Sequence, residues 1–136
     1  MLRTAGAIIG GLIIWVIVVT LLNFGLRAAL PHYHAAEATL QFTAAMKAGR
    51  LIEAGLSSII AGAVTRWIAP SSRWAPAIVG VILLALFVPV HFHIWNKLPV
   101  WYHLTFLLSL VPFVVIGALI PFAARGMEAR KGVAND

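Results

Sequence analysis

Four apolar runs divide the chain, and the breaks between them are short and polar. The first, Ala5 to Leu22, carries no charge and continues in helix-compatible fashion to Pro31, which drives the residue before it out of helical geometry. It predicts a helix over about 5–28, longer than the roughly 7–15 apolar residues of a cleaved signal peptide, so a retained helix is expected. Further spans are predicted over 51–69, over 76–94 with a bend at Pro89, and over 100–124, which contains Pro112 and Pro121. Each approaches the roughly 20 residues that cross a bilayer, and packed neighbours let membrane helices tolerate proline.

Between the first two spans, residues 35–48 contain neither proline nor glycine. Ala36, Leu40, Thr43 and Met46 recur there at roughly helical spacing, which predicts a short helix at the interface. Pro70–Pro76 and Asn96–Pro99 are turns. The expected architecture is all-α, a four-transmembrane-helix bundle forming one domain over 1–124, with 125–136 a polar, disordered tail. Small residues suggest how the helices meet: Gly6 and Gly10 form a small-xxx-small pair on the first span. Ala54, Ser58 and Gly62 give one smooth face on the second, and Asn23, Ser57, Ser58, Thr105 and Ser109, spread over the first, second and fourth spans, are expected to hydrogen-bond between helices. Trp15, in mid-span, is expected to pack against a neighbour.

Composition agrees with the pattern. The 136 residues are 62% hydrophobic and 10% charged, with mean hydropathy +0.98, whereas a soluble domain is about 25% charged. Four spans leave no room for a soluble catalytic domain. The net charge of +6 comes from basic residues placed singly at the ends of apolar runs, so the partner is a lipid bilayer and no nucleic acid is expected. A second copy of the chain or a larger membrane complex are the other partners considered. With no cysteine, disulfides and thiolate metal sites are excluded. Arg3, Arg66, Arg73, Arg125, Arg130 and Lys131 share one side, against Arg27, Lys47, Arg50 and Lys97 on the other. Six against four predicts both termini in the cytoplasm of a plasma (inner) membrane protein, with all five histidines facing outward.

Those histidines are the candidate chemistry. His32, His34, His91, His93 and His103 gather at one end of the bundle, and neutral imidazole ligates zinc or copper. The competing reading is a set of interfacial rings, apolar on their faces and polar at their edges. On a helix His91 and His93 point nearly opposite ways, so a shared site would take one ring from each pair, with His103 and Glu53 or Glu37 joining. No resident cofactor is expected otherwise. Glu53 is the one acid inside a span, either a proton-linked site or half of an ion pair with Arg50 or Arg27. No phosphate loop, Ser-His-Asp set, paired carboxylates or HExxH occurs, so no enzymatic activity is expected.

Together, the glycine-rich first span, the outer loop with Phe42-Thr43-x-x-Met46, the Arg50-Leu51 start of a small-residue helix and Pro99-x-Trp101-x-His103 resemble small four-helix bacterial inner-membrane proteins to which no activity is assigned. The resemblance implies a fold and no mechanism. Two functions stay open at this point. The expected one is a structural or accessory protein working through helix contacts; the alternative is handling of a small solute, a proton or a metal ion at the outward histidine face and Glu53.

Overall fold

A computed structural model describes residues 1–120 and Val133. Within them the chain is all helical: α1 Leu2–Ala29, α2 Tyr33–Thr39, α3 Ala44–Ile68, α4 Ala75–His93 and α5 Val100–Ala118, with a 3-10 turn at Trp95–Lys97. α1, α3, α4 and α5 are each long and apolar enough to cross a membrane, an architecture that fits a multi-pass membrane protein. They form a four-helix bundle in the cyclic order α1, α3, α5, α4, and α3 makes the two most extensive contacts, with α5 and α1.

Small side chains explain why α3 sits at the centre. Ala54, Ser58, Ala61, Gly62 and Thr65 are all buried. A Cβ on Gly62 would collide with the Val114 carbonyl of α5, and one on Gly117 would collide with the Ile59 carbonyl of α3. The two backbones therefore touch reciprocally. On α1 the buried stripe is Ala7, Gly11 and Trp15. This corrects the expected glycine pair by one residue: nothing lies within 4 Å of a Cβ at Gly6, and one at Gly10 meets only the tip of Ile68, at 3.0 Å. Gly11 is the glycine pressed against α3, where a Cβ would run into Thr65. Trp15 selects that rotation, because its indole fills the core and its Nε1 donates to Ser58 Oγ at 3.0 Å.

Most hydroxyls turn back on their own helix. Ser57, Ser58 and Thr65 each donate to the carbonyl four residues earlier at 2.7 Å, and Ser109 donates to Phe106 O at 2.9 Å. Back-bonding satisfies a buried hydroxyl without a neighbour, so of the serines only Ser58 also takes part in an interhelical bond.

The expected helix over 35–48 is two pieces. α2 is bracketed by His32 and Leu40, both left-handed with φ of 62° and 58°. Thr43 then caps α3, its hydroxyl accepting from Met46 N at 3.2 Å, so the second span begins at Ala44 and not near residue 51. α4 and α5 run on through Pro89 and Pro112. α5 ends at Ala118; the predicted extension over 121–124, Pro121 and the tail from Arg125 lie outside the described residues, apart from Val133.

Candidate functional site

Two core clusters divide the bundle. One is centred on Trp15, Ala61, Val79, Leu110 and Val114. The other closes the end where α2 folds over the bundle, and it contains Tyr33, Ala36, Phe42, Met46, Leu98 and Tyr102. Buried polarity concentrates beside this second cluster.

Arg50 is its centre. Its Nε donates to Tyr102 Oη at 3.2 Å and its Nη1 to Tyr33 Oη at 3.0 Å, while its guanidinium lies 4.9 Å over the Phe42 ring. Asn23 Nδ2 donates to the same Tyr33 Oη at 3.3 Å and faces the Glu53 carboxyl. Burial raises the Tyr33 phenol above its usual value, with the Arg50 charge pulling the other way. Tyr33 can point inward because α2 places Tyr33 and Ala36, three residues apart, on its buried face. That rotation sends His34 outward.

The expected ion pair of Glu53 with Arg50 or Arg27 does not form. Among the described residues the ion pairs are Arg27 Nε with Glu37 Oε2 at 2.8 Å and His34 Nδ1 with the same oxygen at 3.5 Å. Burial works to raise the Glu37 carboxyl, but hydrogen bonds from Arg27, Asn23 and His34 outweigh it and hold it below the ordinary carboxylate range. Arg50 is turned instead to the two phenols. Glu53, only 6% exposed, is left facing a half-enclosed cavity of about 140 Å³ that is lined by Trp15, Val19, Arg50, Glu53, Phe87 and Phe106. Glu53 also lines an apolar groove between α1 and α3.

Only two of the five histidines meet. His91 Nδ1 and His103 Nδ1 are 2.8 Å apart and buried, at the facing ends of α4 and α5. His103 Nε2 lies 3.2 Å from both the Trp95 and the Leu98 carbonyl oxygens. Carbonyls only accept, so His103 carries its proton on Nε2, and His91 donates Nδ1–H to the neutral His103 Nδ1. The ring of His103 stacks on Trp95 at 4.7 Å, and His91 packs 4.5 Å from Phe106, a cavity-wall residue. This pair fastens the 3-10 turn to the bundle.

His32, His34 and His93 are exposed. His32 is the left-handed residue before α2, and His93 faces the side of α4 opposite His91. No three His, Asp or Glu side chains among the described residues are grouped to hold a metal ion. The expected site of one ring from each pair with His103 is corrected to a two-histidine hydrogen bond, because α2 turns Tyr33 inward and leaves both His32 and His34 exposed.

Tyr33, Tyr102 and the aromatic walls Trp15, Phe87 and Phe106 did not enter the sequence reading as site residues. The signal for Tyr33 was its spacing to Ala36, hidden between the two conspicuous histidines. No protein-family model, curated protein or solved structure matches this chain.

Proposed function

We propose that the chain is an integral membrane protein that binds a small solute in the cavity between Arg50 and Glu53. The supporting observation is that a cation and an anion from one helix line the same cavity without pairing. Burying unpaired charge is costly, and such residues inside membrane helices mark binding or transfer sites. The centre is a binding site and not a catalytic one. The charge asymmetry supports a reading with both termini in the cytoplasm and the cavity near the outer face, and the resemblance noted above is the support for a bacterial inner membrane. An accessory role through helix contacts is the second reading. It is supported by the outward ridge of α3, where Ile52 and Leu56 stand exposed between apolar grooves of about 380 and 310 Å³.

The absence of cysteine makes the cavity directly testable. A Val19→Cys variant carries its single thiol on the cavity wall, and a small water-soluble methanethiosulfonate is expected to modify it. Val16→Cys, on the 57% exposed face of α1 that meets lipid, is expected to stay unmodified. An unreactive Val19→Cys in the folded protein overturns the solute-site reading. A charged, impermeant reagent should label from outside the cell; labelling from the cytoplasmic side alone reverses the orientation and leaves the cavity intact.

A further inference from the structure

We infer that the solute taken by this cavity is a small zwitterion, with a carboxylate and an ammonium group no further apart than in glycine, β-alanine or glycine betaine. The inference rests on the reading of the cavity as a solute site and names its ligand class.

The cationic end comes preorganised. Arg50 has five N–H donors, and Tyr102 and Tyr33 take one each through Nε and Nη1. Phe42 covers one face of the guanidinium. These contacts fix the plane and leave donors over on a side chain that lines the cavity. A guanidinium held in one plane is suited to a carboxylate, which it grips through two parallel hydrogen bonds. The three phenolic and phenyl partners bring no negative charge, and Arg50 is in no ion pair among the described residues.

The anionic end is Glu53, in no ion pair among the described residues. The remaining wall is aromatic. Trp15 and Phe87 ring centres are 5.2 Å apart, and Phe87 and Phe106 5.1 Å, so three contiguous rings stand beside the carboxyl. Aromatic faces attract alkylammonium groups, and they do so most strongly where water is excluded.

Charge balance selects among ligands. With Glu53 ionised, it and Arg50 sum to zero, and a zwitterion then keeps the filled cavity at zero. A monocarboxylate leaves one net negative charge in a low-dielectric site and an organic cation one net positive, each heavily penalised there. Size sets the other limit. A cavity of about 140 Å³ has room for a few water molecules, which suits a molecule as small as glycine or glycine betaine. Glu53 lines both the cavity and the α1–α3 groove, so its carboxyl stands at the boundary a ligand would pass.

The test is thermal unfolding of the full chain in mild detergent with glycine, β-alanine or glycine betaine. Acetate and tetramethylammonium, at equal concentration, serve as the half-molecule controls. At least one zwitterion should raise the unfolding temperature in a saturable way, and neither half-molecule should. Val19→Phe, which fills the cavity without touching its charges, should abolish the shift. Glu53→Gln should weaken the zwitterion at least tenfold and let acetate stabilise the protein, because the cavity is then left with the Arg50 charge alone. A purely structural Glu53 would produce no such exchange of preference. If Glu53→Gln fails to fold, the wild-type comparison with the half-molecules decides by itself. Acetate or tetramethylammonium matching the zwitterions on wild type, and losing effect in Val19→Phe, overturns the ligand class and leaves the solute site standing. No shift from any zwitterion overturns the class as well, and an unreactive Val19→Cys overturns both.

Discussion

Replacing Gly62 by alanine tests the reciprocal contact that holds α3 to α5. A methyl group there overlaps the Val114 carbonyl oxygen and lies 2.7 Å from its carbon and 3.0 Å from its Cα. All three obstacles are backbone, so no side chain can swing aside and a whole helix must shift. Gly117 binds the same pair of helices from the opposite direction, against Ile59. Overpacking of this kind costs about 1–3 kcal/mol, and the rigidity of both partners places the cost at the upper end. Removing a glycine from a helix returns about 1 kcal/mol. The net expectation is a loss of about 2 kcal/mol, near a 30-fold change in the folding equilibrium at about 1.4 kcal/mol per tenfold. Gly62→Leu should lose folded protein altogether. Gly6→Ala is the matched control, since nothing stands within 4 Å of its Cβ; it should be neutral or mildly stabilising. SDS-induced unfolding in mild detergent, followed by helical circular dichroism, measures all three. Gly62→Ala with wild-type stability would refute the contact, and so would a Gly6→Ala variant that is equally damaged.

Two other expectations concern the polar end. Arg27–Glu37 is a partly exposed pair, 39% and 19% accessible, worth about 0.2–1 kcal/mol. The Glu37 carboxyl is held low in the folded state, so this stability is present above its unfolded pKa of about 4.3 and is lost as pH falls through the depressed folded value. A Glu37→Gln deficit measured at pH 7 should shrink as pH falls through the depressed Glu37 value, and a deficit independent of pH would contradict the pairing. His103→Ala leaves two carbonyls and a buried His91 N–H without a partner, a loss of about 1–3 kcal/mol. Exposed His93→Ala should change stability by less than about 0.5 kcal/mol, and equal thermal stability of the two variants would remove the tautomer assignment.

The spans were legible because a bilayer asks one coarse thing of a sequence, about 20 apolar residues in a row. Long uninterrupted runs such as Ala5–Leu22 answer it directly. The break at Leu40–Thr43 was not legible in that way. Nothing in Leu40 announces a left-handed backbone, and Thr43 signals a helix start only when read as a cap with Met46 three residues on. The rotation of α1 was missed for a related reason. Gly6-x-x-x-Gly10 and Ala7-x-x-x-Gly11 are equally small pairs, and the choice between them falls to Trp15, whose size leaves it one home. At the site, the histidines attracted attention by residue type, while geometry selected by phase. Two positions apart on one helix, His91 goes inward and His93 outward.

The same phase argument explains why the bundle can both pack tightly and hold a cavity. Along α3, the buried face changes character every few turns. Ser58, Ala61, Gly62 and Thr65 let α5 approach to backbone contact and bring Gly11 of α1 against the Thr65 side chain. About one to four turns earlier, α3 carries Arg50 and Glu53, and the neighbours that meet them are the large rings of Trp15, Phe87 and Phe106. Rigid rings cannot interdigitate as closely as glycine and alanine. The space left between them is where the charges lie, beside the two phenols that hold Arg50 still. The small-residue half thus clamps the helices in one register, and the clamp keeps the aromatic half from collapsing onto Glu53. On the proposed solute site, loosening the clamp should therefore also cost ligand affinity, although Gly62 and Gly117 do not line the cavity.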